Sequence, residues 1–237
     1  LINKYHAGCA TGILNAPEPE FNPAVDEMIR YNYGPKNHRE IKAKNKLCIQ
    51  KILDLDQDEN AVMFFWPSRL DPVQKGCQLL AQIMYDFVSQ YWDVNLQIVS
   101  VASGEYQKHF YDIVRYHGLE RRVAICGFSE GLSHQAFAGS DFLFMPSSFE
   151  PCGLPQMVGG IYGTLPIVYD TGGLHDTIHQ LNTENNMGNG FLFNVHDAKG
   201  FKWAIDRAMD FYFLDPDIKE VQINRIMIES VLEFNHS

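Results

Sequence analysis

The sequence predicts an α/β protein built on a parallel, doubly wound sheet. Three observations carry that expectation: short apolar runs recur along most of the chain, segments of helical period separate most of them, and the polar, glycine- and proline-bearing residues cluster just after the runs. AVMFFW (61–66) reads as a buried strand. After a proline-containing loop, Leu79, Leu80, Ile83, Met84, Phe87, Val88 and Tyr91 step by three to four residues and so share one helical face. NLQIVSV (95–101) is the next strand, and a helix over about 105–117 ends near Gly118. RVAICG (122–127), DFLFMP (141–146), TLPIVYD (164–170) and GFLFNV (190–195) continue the series, with helices expected over 198–214 and 217–233. Residues 1–59 differ in character, with Pro17, Pro19 and Pro23 close together, then polar and basic stretches and one short helix around 41–52. They are expected to form a connecting arm packed on something else, ahead of a domain over 60–237.

Composition narrows the function. The chain has 237 residues, 19 Lys and Arg against 29 Asp and Glu, a formal charge of −10 and a pI near 5.3. Nucleic acid and anionic membrane surfaces call for clustered cations, so neither is expected as a partner. No apolar run approaches the roughly 18 to 20 residues of a membrane span, and the start lacks the charged-then-apolar pattern of a secretory signal. Cys9, Cys48, Cys77, Cys126 and Cys152 are odd in number and dispersed, without a C-x-x-C pair, and read as reduced thiols in a cytosol-like compartment.

In a doubly wound sheet, ligands sit at the carboxyl ends of the strands, and four loops there carry chemistry. SRLDPVQKG (68–76) places Arg69 and Lys75 around a turn, where both can face a pyrophosphate; two solvated basic residues are the plainer reading. CGFSE (126–130) presents Phe128, either a π-face for a nucleobase or a ring packed under the loop. FMPSSFEPCGLPQ (144–156) holds Glu150, with the Cys152, Gly153 and Leu154 amides able to point at an oxyanion or a sugar hydroxyl; a carboxylate favoured by a helix dipole is the alternative. DTGGLHDT (170–177) has Gly172 and Gly173 where a phosphate can approach the backbone, or where turn geometry alone requires glycine. His175 and His179 imitate a zinc-binding spacing, but the intervening acid is Asp176 and no third ligand follows, so no metal is expected.

The order SRL…QKG, G-aromatic-x-E, PSxFEPCGL and GTLPIV…TGGLxDT resembles the bacterial and plant starch and glycogen synthases, retaining glucosyltransferases that use ADP-glucose. GILNAPEPEFNPAVD (12–26) is similar to that family's GILNG…WNPATD hinge, and NKLCIQKILDL (45–55) to its NK-x-x-LQ helix, so the resemblance covers about residues 12–235. It implies one of the two Rossmann-like domains of a glycosyltransferase B arrangement, the C-terminal nucleotide-sugar half, cut at both ends and inactive alone. The expected partners are a nucleotide sugar, an α-glucan acceptor and the N-terminal domain of the same protein, with no cofactor and no metal, in a bacterial cytosol or plastid stroma.

Carried over by position, the resemblance assigns Arg69 and Lys75 to the departing diphosphate, Phe128 to the adenine, and Glu150 with the Cys152 and Gly153 amides to the donor glucose. Leu154, Thr171, Gly172 and Gly173 line the same pocket. Several residues depart from the pattern. Arg69 and Lys75 are six positions apart rather than five, Pro155 replaces a threonine, MVGGIYG (157–163) replaces LYAMRYG, and Tyr169 and Asp170 replace two arginines. Pro155, Gly159, Gly160 and Asp170 motivate the rival expectation of a degenerate homologue that binds nucleotide or glucan without transfer. A UDP-glucose enzyme is a third; many of those relatives carry a second glutamate eight residues after the first, where this chain has Val158.

Overall fold

The computed structural model describes residues 15–234; the GIL portion of the hinge motif and the last three residues lie outside them. Six strands, β1 (Met63–Trp66), β2 (Gln97–Val101), β3 (Val123–Cys126), β4 (Phe142–Met145), β5 (Leu165–Tyr169) and β6 (Phe191–Phe193), form one sheet of order β3-β2-β1-β4-β5-β6. Every neighbouring pair is parallel. Each strand falls inside a run expected to be extended. The order reverses between β1 and β4, the switch point at which such sheets open a crevice.

The strands are short and apolar because both faces are covered. Successive side chains alternate: Phe64 and Trp66 of β1 enter one core, Met63 and Phe65 the other. The first core lies under α2 (Cys77–Gln90), α3 (Gln107–His117) and α7 (Ala198–Tyr212). There Phe64 stacks on Phe142 and Phe144 at 5.1 and 4.9 Å and meets Phe87 edge-on at 5.1 Å. The second lies under α1 (His38–Ile52), α4 (Glu130–Gly139) and α5 (Pro155–Tyr162). Two helices complete the domain, α6 (Gly172–Thr177) and α8 (Pro216–Glu233).

Helix α1, placed by sequence in the connecting arm, contributes Ile49 to the second core, and Leu55 follows it there. Its other buried positions are polar. Asn45 clasps the backbone of Tyr31 through both amide atoms, Lys46 reaches Asp141 at 2.7 Å and the Ala61 carbonyl, and Gln50 joins Asp58 to Gln97. The NK-x-x-LQ signature is therefore a set of bolts between arm and sheet. Lys42 is buried too, donating to Phe137 O, Tyr162 O and Thr164 Oγ1 at 2.9–3.2 Å, and burial pushes its ammonium down to about 7. A folded-state value below the unfolded 10.5 means that the unfolded chain binds more protons between those limits, so stability rises with pH there. Relative to Lys42→Met, wild type is expected to gain up to about 1.4 kcal/mol per pH unit above pH 7, read from urea midpoints at pH 7 and 8.5. A difference independent of pH contradicts the assignment.

The departures in α5 have a packing cause. A Cβ at Gly159 would stand 2.7 Å from Thr164 O, and one at Gly160 2.4 Å from Ser230 Oγ of α8. The helical cost of two glycines is offset by this close approach. Pro155 is the first residue of α5, where its missing N–H has no intrahelical partner to lose. Val158 and Ile161 are buried.

A candidate donor-binding crevice at the strand carboxyl ends

The crevice is built by four loops that leave the sheet on one side. Trp66 ends β1 with its indole N–H donated to Ser68 O at 2.7 Å, which fixes the exit of the first loop. Asp71 then accepts from the Val73 and Gln74 amides, an Asx turn that holds its carboxyl below the usual range. The turn aims Lys75 inward across the switch point. Its Nζ meets Glu150 Oε2 at 2.5 Å, with the two side chains only 15% and 9% exposed. Arg69 is exposed in the same loop and enters no ion pair among the described residues. The extra residue between Arg69 and Lys75 does not keep Lys75 from the crevice.

The loop after β4 is stitched to the first. Ser148 donates its amide to Gln74 O at 2.8 Å and its hydroxyl to Val73 O at 3.0 Å, and the Gln74 amide reaches Phe149 O. Ser147, buried, donates to Glu150 Oε2 at 3.2 Å. Both partners of the Glu150 carboxylate thus hold one oxygen, and Oε1 has no hydrogen-bond partner among the described residues. Cys152 is half-buried, with Sγ accepting from Asn15 Nδ2 at 3.3 Å; Gly153 is buried at φ +72°, and Leu154, which precedes α5, is exposed.

The third loop, after β5, packs on the second. The Gly173 amide donates to Glu150 O at 2.8 Å. A Cβ on Gly172 would lie 2.3 Å from Glu150 O, and one on Gly173 2.1 Å from Cys152 O. The Cβ side of both glycines is filled by protein backbone, so turn packing by itself is enough to require glycine at the two positions. Thr171 precedes α6 with a hydroxyl that makes no cap bond. Beneath them Gln156 donates to Cys152 O and Thr177 Oγ1, and Thr177 donates to Gly173 O.

Asp170 is engaged by a 2.6 Å contact between its Oδ1 and His175 Nδ1, which raises the His175 pKa. Among the described residues, no three His, Cys, Asp or Glu side chains are arranged to hold a metal ion.

Phe128 follows β3. Its ring is 71% exposed and packs in neither core, while its amide is held by Ser103 Oγ at 3.2 Å. Three strand spacings of about 4.8 Å each put β3 about 14 Å from β4 across the sheet. The structure thus brings Lys75, Glu150, Cys152, Gly153, Gly172 and Gly173 into one contiguous set, with Arg69 and Thr171 on adjoining loop positions, and leaves Phe128 at the far end of the same edge. Sequence reasoning did not single out Ser147 or Asn15. The repeated serine of PSSF was the available signal for the first; the second is joined to Cys152 across 137 positions.

The family model for "Glycosyl transferases group 1" matches residues 49–220. A glycogen synthase from Bacillus cereus is 35% identical over 230 residues, covering 97% of this chain and 47% of that protein. One from Exiguobacterium sibiricum is 38% identical, covering 93% and 45%. The catalytic domain of starch synthase IV from Arabidopsis thaliana, bound to ADP and acarbose, superposes with a TM-score of 0.82 at 29% identity, covering 95% of this chain and 46% of that one. The chain spans about half the length of the curated relatives it matches.

Proposed function

We propose, because the chain belongs to the group 1 glycosyltransferases, that it is the donor-binding half of an α-1,4-glucan synthase that takes glucose from ADP-glucose with retention. The observation that carries the proposal is the Lys75–Glu150 pair at the β1/β4 switch point, with Arg69 exposed on the same loop as Lys75 and Glu150 Oε1 left open among the described residues. The leaving group is a diphosphate, so the main catalytic task is to stabilise its developing charge. Arg69 and Lys75 supply two cations for it without a divalent metal. Glu150 Oε1 accepts from donor glucose hydroxyls, helped by amides of the Cys152–Leu154 turn. The adenine lies on Phe128, at the opposite end of the sheet edge from the hexose. Retention then follows either from attack on the leaving-group face or through a covalent intermediate. The departures that motivated a degenerate homologue have structural causes: Pro155 begins a helix, Gly159 and Gly160 admit close neighbours, and Asp170 is taken by His175.

Stacking on a base is worth about 1–3 kcal/mol. Phe128→Ala is therefore expected to weaken ADP by about tenfold, with no loss of thermal stability, because the ring packs in neither core. Unchanged ADP affinity in calorimetry contradicts the stacking role. Transfer itself is tested with this chain joined to the facing half of the cleft. ADP-glucose labelled in the sugar should lengthen a maltooligosaccharide by α-1,4-linked units. Intact ADP binding with no labelled oligosaccharide contradicts the synthase reading.

A further inference from the structure

Beside the crevice, on the outer side of β5 and β6, the chain forms a second concave surface. It is a cleft of about 550 Å³ whose lining includes Asp170, Gln180, Asn194, Val195 and Trp203. Trp203, on α7, is 52% exposed. Polar groups of three kinds surround it. Gln180 uses its oxygen to accept the Leu192 amide at 3.1 Å, which leaves its NH₂ as a donor. Asn194 is exposed and offers both a donor and an acceptor. Asp170 spends Oδ1 on His175 and retains Oδ2. No lysine or arginine lines the cleft, and its single carboxylate is already paired.

An indole face bordered by planar amides and one carboxylate, with no cation in the lining, does not suit a phosphate, a nucleotide or an acidic peptide. It suits a neutral polyhydroxylated ligand, whose C–H face covers the ring while its hydroxyls exchange hydrogen bonds with the amides. The position matters as well. Asp170 immediately precedes Thr171, so the cleft adjoins the donor crevice, yet its lining includes neither Lys75 nor Glu150. We propose that the cleft is a binding site for a segment of α-glucan, holding the polymer to the donor half away from the reacting end. The choice of glucan among neutral saccharides rests on the synthase reading above.

Trp92 provides an internal control. It is 45% exposed with the Arg122 guanidinium 4.1 Å from its ring, whereas the Arg207 guanidinium stands farther from the Trp203 ring, at 5.9 Å, and is paired with Asp210. The 237-residue chain is run through native gels containing glycogen, and maltoheptaose is titrated in parallel by calorimetry. Wild type should be retarded and bind maltoheptaose. Trp203→Ala should weaken both at least tenfold, Gln180→Ala severalfold, and Trp92→Ala should leave both unchanged. ADP affinity should be the same in all four proteins. A wild-type chain that binds ADP but neither glycogen nor maltoheptaose overturns the cleft and leaves the donor reading standing. Glucan binding that survives in both Trp203→Ala and Gln180→Ala overturns the cleft as well. Loss of ADP binding from wild type counts against the donor reading instead.

Discussion

Glu150→Ala, in the protein with both halves of the cleft, is expected to cut turnover on the order of a hundredfold or more while the fold survives. The carboxylate is held at the switch point by Lys75 and Ser147 on Oε2, and Oε1, without a hydrogen-bond partner among the described residues, is the oxygen proposed to take the donor sugar. Loss of a single preorganised polar group at a reacting centre costs about 10²–10³ in rate. The backbone contacts of residue 150, including the Gly173 bond, do not depend on the side chain. Breaking a fully buried pair costs about 3–5 kcal/mol; the partial exposure of Lys75 lets its ammonium turn toward water, and the cost should be smaller. Glu150→Gln keeps the shape and should lose activity nearly as completely. Near-normal turnover in either variant, with circular dichroism unchanged, removes Glu150 from the reaction.

Lys75→Ala is expected to weaken ADP about ten- to a hundredfold and AMP by no more than about twofold. A hydrogen bond to a charged group contributes about 1.5–3 kcal/mol, and the proposed role of Lys75 gives that bond to the diphosphate. The substitution also leaves Glu150 without its cation beside an anionic ligand, an added repulsion. Removing the carboxylate as well should relieve it, so the Lys75→Ala, Glu150→Ala double variant should bind ADP better than Lys75→Ala alone. The double-mutant cycle measures that coupling directly. Equal loss of ADP and AMP contradicts a diphosphate role, and strict additivity contradicts the coupling.

The sheet was legible because its signal is local. A fully buried strand reads as an uninterrupted apolar run, and each of the six lies inside such a run. The attachment of α1 was not, because its seam is polar. Lys42, Asn45, Lys46 and Gln50 are buried on partners up to 122 positions away, and no hydrophobic period announces them. The same division holds in the crevice. Residues after each strand could be named as a set, since topology dictates where loops gather. The Lys75–Glu150 contact, the Ser147 support and the turning of Asp170 toward His175 depend on side-chain geometry that spacing does not encode. Gly159 and Gly160 show the converse: a composition that weakens an isolated helix is what lets α5 approach the Thr164 carbonyl and Ser230.

Calorimetric titration of the 237-residue chain with ADP, UDP and AMP in the presence of EDTA tests the central claim most directly. The account predicts that ADP binds without a divalent metal, more tightly than UDP because a purine offers Phe128 the larger stacking face and more tightly than AMP because of Arg69 and Lys75. A folded chain that binds ADP no better than AMP, or that prefers UDP, contradicts it.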